Sequence, residues 1–192
     1  MNKPIETRYK GYRFRSRLEA RWAVFFDALG VSYQYEPEGF ELIDKARGWI
    51  RIFYLPDFLI FDSEGKPDYW IEIKPYMPPL EEIRKLVLLC QNDWMDGLFL
   101  VGEPHPKSFF LSIQNRFLRR NKLFGPFDPN MRLETHDELQ FYLSSQRLKE
   151  AESQIRLDSE GKNIGDNAYF EIIADAFHAA RSARFEFGER GI

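Results

Sequence analysis

Two neighbouring stretches, RIFYLPDFLIF at 51–61 and YWIEIKP at 69–75, consist largely of aromatic and branched residues that favour extended backbone, yet both carry charge. The turn-forming segment DSEGKPD at 62–68 separates them, so the pair reads as an antiparallel hairpin. Side chains alternate faces along a strand, which puts Glu72 and Lys74 on one face and Ile71 and Ile73 on the other. If Phe61 pairs near Tyr69, Asp57 falls beside residue 73, within one position of both Glu72 and Lys74. A one-residue shift, or a bulge at Pro56, sets Asp57 opposite either of them.

Charges on a half-buried sheet lose solvation unless they are paired or bind a cation. The plain alternative is an exposed sheet face carrying a surface salt bridge. Leu55, Leu59 and Phe61 share the face of Asp57 and argue for burial.

The rest of the chain supplies the frame. From Ser16, the residues Leu18, Trp22, Phe25, Phe26 and Leu29 recur at helical spacing until Gly30. VSYQYEPEGFEL at 31–42 reads as a strand preceding the hairpin. Pro75, Pro78 and Pro79 end the third strand and lead into a helix over LEEIRKLVLLCQ at 80–91, after which GLFLVGEP at 97–104 is an apolar strand. A helical crossover places this last strand parallel to the third, so the sheet is mixed and the class α/β. Within 104–134, FFLSI is a candidate strand and GPFDPN a turn. Thr135 with Glu138 is a capping-box pattern opening a helix to about 150, and Asp166 precedes a helix over AYFEIIADAFHAARSARF. The 192 residues, 44% apolar, suit one domain with a core at about 12–115 and a helical C-terminal elaboration at about 135–187.

Net charge is −3, but residues 1–21 hold seven basic side chains against Glu6 and Glu19, a local +5, so the remainder carries −8. Arg13, Arg15 and Arg17 in that segment, and Arg116, Arg119 and Arg120 beside Phe117 and Phe124, are candidate nucleic-acid contacts. The second cluster reads equally well as a solvated helix face. No apolar stretch approaches a membrane span or a secretory leader, so a cytoplasmic protein is expected. Cys90, in an apolar run, reads as a buried free thiol. His105, His136 and His178 lack the spacing of a zinc site.

Phosphodiester cleavage requires an activated water and neutralisation of a highly charged transition state. Hard oxygen ligands suited to Mg²⁺ come from Asp57 and Glu72, with the Ile73 carbonyl a candidate third, and Lys74 would orient or deprotonate water or hold the phosphate. The spacing Pro56-Asp57, 14 residues, Glu72-Ile73-Lys74 resembles the signature of the PD-(D/E)XK nuclease superfamily. FRSRLEARWAVFFDALG, YQYEPEGFEL, YLPDFLIF and AARSARFEFGE further resemble a group of small phage and bacterial proteins assigned to it. That resemblance implies a restriction-endonuclease-like core running helix, strand, strand, strand, helix, strand, and a Mg²⁺-dependent DNA nuclease in which Mn²⁺ can substitute. It also implies an acidic residue on the first helix, where Glu19 stands.

Glu19 has a structural role available too, since Ser16-Arg17-Leu18-Glu19 is itself a capping box. At 100° per residue it lies about 20° from Phe26, at the edge of the buried stripe. Arg15, one turn earlier, would pair with Glu19 or reach a substrate phosphate. Gln91 is a weaker site candidate, and Glu36 and Glu38 are read as loop or strand-edge residues without a metal role. Endonuclease action is the favoured reading. Its rivals are a branched-DNA resolvase acting as a homodimer and a non-catalytic DNA-binding or interaction module.

Overall fold

The computed structural model describes residues 4–106, 109–113, 131–135 and 168–185. A six-stranded mixed sheet forms the centre, built from β3 (Tyr33–Tyr35), β6 (Phe58–Phe61), β7 (Pro67–Lys74), β8 (Asp96–Val101), β9 (Phe109–Ile113) and β10 (Met131–Thr135). Its spatial order is β10-β9-β8-β7-β6-β3. One face carries α1 (Arg17–Leu29) and α3 (Ala168–Ser182), and the other carries α2 (Leu80–Asp93). Two hairpins stand apart from this sheet, β1 (Thr7–Tyr9) with β2 (Tyr12–Phe14) and β4 (Phe40–Asp44) with β5 (Ile50–Tyr54). The α/β class and the mixed sheet are as expected: β7 runs antiparallel to β6 and, through the α2 crossover, parallel to β8.

Helix α1 forms where its caps permit. The Ser16 hydroxyl accepts the Glu19 N–H at 3.2 Å, and Gly30, at φ 72°, turns the chain out. Trp22, Phe25, Phe26 and Leu29 bury the stripe between them, and Phe25 meets Phe177 of α3 at 4.7 Å between ring centroids. The Trp22 indole donates to the Gly102 carbonyl at 3.0 Å, tying α1 to the loop after β8.

The two longer stretches read as single strands each break in two. VSYQYEPEGFEL becomes β3 and β4 because Glu36 takes φ 45° and Pro37 has no N–H for a ladder, and RIFYLPDFLIF becomes β5 and β6 at Pro56. Strands β4 and β5 therefore pair with each other, and a buried ion pair between Asp44 and Arg84 fastens their hairpin to α2. Leu55 sits at the exposed margin, against the burial its strand face implies, while Leu59 and Phe61 join the α2-side core. The basic N-terminal segment contains a hairpin that charge alone does not reveal. Lys10 and Gly11 both have positive φ, 45° and 86°, as a tight two-residue turn requires.

FFLSI is β9, and residues 131–135 extend the sheet beyond the core boundary expected near residue 115. Thr135 ends β10; the helix expected from there to about 150, and Arg116, Arg119 and Arg120, lie outside the described residues. Among the described residues no helix is long and apolar enough to cross a membrane.

Helix α2 sits so close to β8 that a Cβ at Gly97 would meet Cys90 Sγ at 2.7 Å and Leu86 Cγ at 3.0 Å. Both neighbours are fully buried. Gly97→Ala should lower stability by about 1–3 kcal/mol, read by chemical denaturation, because this interface has no room to give.

Near the start of β7, burial and then the charges of Asp62 and Asp96 push Asp68 up to about 6. The folded value lies above the unfolded one near 4, so the stability present in acid is lost as pH rises through about 6. Asp68→Asn, which mimics the protonated acid, should raise the melting temperature at pH 7.5 and leave it unraised at pH 4.

Candidate active site

The hairpin register resolves the position of Asp57. Phe58 pairs with Ile71, Leu59 with Trp70 and Ile60 with Tyr69, so continuing that register sets Asp57 opposite Glu72. Asp57 thus shares a sheet side with Glu72, and Asp57 Oδ2 accepts the Ile73 N–H at 2.7 Å. The two carboxylates are 3% and 4% exposed. Both line one cavity of about 710 Å³, together with Lys74, Ile73 and Glu19. The end of β5 and the first turns of α1 and α2 complete its walls.

Each carboxylate is held on both oxygens. Lys74 Nζ lies 2.7 Å from Glu72 Oε1, and the Tyr54 hydroxyl donates to Glu72 Oε2 at 2.8 Å. Arg15 Nη2 donates to Asp57 Oδ1 at 2.7 Å. The Glu19 carboxylate accepts the Ser16 hydroxyl at 2.6 Å instead of the Ser16 backbone N–H that a full capping box would use, and it also lines the cavity, where Oε2 accepts the Tyr35 hydroxyl at 2.6 Å.

Arg15 does not form the expected side-chain pair with Glu19. Its backbone N–H donates to Glu19 Oε2 at 3.1 Å, but its guanidinium goes to Asp57 and Glu36. Glu36 thereby enters the electrostatics of the site at one remove. Arg17 lines the cavity, whereas Arg13 lies exposed on β2, pairs with Glu6 and is outside it. Gln91 is also absent from the lining; α2 contributes Glu82 and Lys85, nearer its start. Tyr54, Tyr35, Glu82 and Lys85 escape sequence reasoning because they lie on other elements and carry no spacing relation to the E-x-K strand.

Burial drives the Asp57 carboxyl well above the usual aspartate range, and the charges of Glu72 and Glu19 push the same way. The Ile73 N–H and Lys74 oppose this without reversing it. Burial alone would lower Lys74, but Glu72, Asp57 and Glu82 outweigh it and hold the ammonium above its ordinary value. Burial likewise raises Tyr54, with Glu72 adding to the effect, so its hydroxyl stays a donor at neutral pH.

Among the described residues no three His, Cys, Asp or Glu side chains are assembled as a ready-made metal cage. A pair of buried carboxylates in an open cavity still matches the way Mg²⁺ is commonly bound, by one or two carboxylates with water and substrate phosphate completing the shell. Comparison with known proteins adds no family to this geometry: no family model matches the chain, and neither a curated protein nor a solved structure matches it.

Proposed function

We propose that this chain is a divalent-metal-dependent nuclease of the PD-(D/E)XK superfamily that cuts DNA internally, with Asp57, Glu72 and Lys74 at its centre. The observation that carries this reading is the convergence of two almost fully buried carboxylates and a lysine on one open cavity. The element order supports it. α1, β3, β6, β7, α2 and β8 follow the helix, strand, strand, strand, helix, strand pattern of a restriction-endonuclease-like core, with the β4–β5 hairpin as an insertion. Asp57 immediately precedes the second of these strands, and Glu72 and Lys74 close the third.

Mg²⁺, held by Asp57 and Glu72 with the Ile73 carbonyl a candidate third ligand, would supply a Lewis acid and a nucleophilic water. The protein's own residues then divide the work. Lys74, whose ammonium the surrounding carboxylates favour in the metal-free chain, would orient or deprotonate the attacking water, or hold the scissile phosphate and offset the developing negative charge. The Tyr54 hydroxyl fixes Glu72, and the Ile73 N–H fixes Asp57. Arg15, half exposed, is placed to leave Asp57 for a substrate phosphate once the carboxylates have another cation to face.

A non-catalytic reading has one observation in its favour: all four oxygens of Asp57 and Glu72 already have partners within the protein. Incubation with linear duplex, single-stranded and branched DNA, in Mg²⁺ and in EDTA, separates the readings. Metal-dependent cleavage supports the nuclease, a strong preference for branched DNA moves it to a dimeric resolvase, and binding without cleavage leaves a binding module.

A further inference from the structure

A second cavity, of about 510 Å³, opens between the start of α1 and the end of α3. Arg17, Arg21, Arg181 and Arg184 line it, and among the described residues no carboxylate does. Glu103 pairs with Arg21 at 2.6 Å from outside the lining, and among the described residues the other three arginines have no acidic partner there. Nε of both Arg17 and Arg21 is shut off from solvent without a hydrogen-bond acceptor.

Helix chemistry explains part of this arrangement. Arg181 suits the negative end of α3, where its Nε donates to the Phe177 carbonyl at 3.3 Å. Arg17 and Arg21 occupy the first two turns of α1, the positive end, where cations are disfavoured. Four guanidinium groups lining one cavity, with no carboxylate among the described lining residues, suit an anion offering several oxygens in fork geometry, which a phosphate group does. Arg17 also lines the carboxylate-bearing cavity, so the two chambers share a wall.

We propose that the four-arginine cavity grips a phosphate group of the same nucleic-acid strand whose scissile bond lies over Asp57 and Glu72. This rests on the nuclease reading of the first cavity. The phosphate comes either from a strand end, as a monoester, or from the backbone, as a diester. It anchors the strand beside the cut, positioning it without taking part in the chemistry.

The test is fluorescence anisotropy of the full chain in EDTA, with internally labelled single strands bearing a 5′-phosphate, a 3′-phosphate or neither. Arg181→Gln/Arg184→Gln should bind about tenfold more weakly and lower the salt slope by about 0.7, the value for one phosphate contact on a single strand. Arg181 and Arg184 are exposed, so the fold should survive, as a melting curve verifies. Arg184→Lys, which keeps the charge and loses the fork, should fall between. A wild-type preference for one phosphorylated end that vanishes in the double variant identifies a terminal phosphate, whereas equal weakening on all three strands identifies a backbone phosphate. Unchanged affinity and slope in a folded double variant overturn the proposal. If the wild type cleaves DNA in Mg²⁺ while the double variant binds normally, only this pocket is refuted. Arginine-dependent binding without cleavage refutes the nuclease reading instead.

Discussion

Mg²⁺-dependent cleavage of DNA is expected to fall about 10²- to 10³-fold, to background in an ordinary assay, when Glu72 or Lys74 becomes alanine, while DNA binding in EDTA largely survives. The two substitutions act by different routes. Glu72→Ala removes a candidate metal ligand, strands the buried Tyr54 hydroxyl and leaves the Lys74 ammonium to the more distant Glu82, at 3.8 Å. Lys74→Ala removes the charge proposed to face the phosphate and leaves Glu72 held by Tyr54. Breaking a buried ion pair costs about 3–5 kcal/mol in its own right, so each alanine needs a companion of similar volume, Glu72→Gln and Lys74→Met. Loss of cleavage in folded, DNA-binding companions marks a chemical role. Parallel loss of stability and binding in all four variants would assign the cluster to structure.

The second large effect joins metal, pH and stability. Asp57 has a raised value in the folded, metal-free chain, so the stability present in acid is lost as pH rises from the ordinary aspartate value near 4 through the raised one. A divalent cation shared by Asp57 and Glu72 would offset both the burial and the carboxylate repulsion that raise it. Mg²⁺ should therefore raise the melting temperature more at pH 8 than at pH 5. At 100 times its dissociation constant the stabilisation is about 2.7 kcal/mol. Asp57→Asn should be the more stable protein at pH 8 without metal, and should lose most of the Mg²⁺ response. Differential scanning calorimetry at the two pH values reads both. An equal Mg²⁺ effect on the two proteins would mean that the ion binds elsewhere.

Local rules made α1 legible, because Ser16, the apolar stripe and Gly30 agree with one another. The same holds for the β7–α2–β8 crossover, whose prolines and apolar runs fix both its length and the parallel pairing. The approach of Asp57 to Glu72 was legible to within one residue. The remaining step depended on β6 and β7 pairing one position away from the assumed register, with an irregularity at Ile60/Phe61. Strand breaks at Glu36-Pro37 and Pro56 were harder to read, since aromatic and branched residues continue on both sides and only the backbone shows where the ladder ends. Tyr54 and Tyr35 reach the site through tertiary contacts 18 and 16 residues away in sequence from Glu72 and Glu19, beyond the reach of any period. The arginine cavity is less visible still, for one half stands on α1 and the other at and just beyond the end of α3, far apart in sequence.

The most direct test of the central claim is a Mn²⁺ titration followed by electron paramagnetic resonance, in the presence of a phosphorothioate duplex that resists cleavage. Saturable binding at a site that disappears in both Asp57→Asn and Glu72→Gln is the predicted result. Undiminished binding in those variants, or none in the wild type, would contradict the assignment of a metal-dependent centre to these two carboxylates.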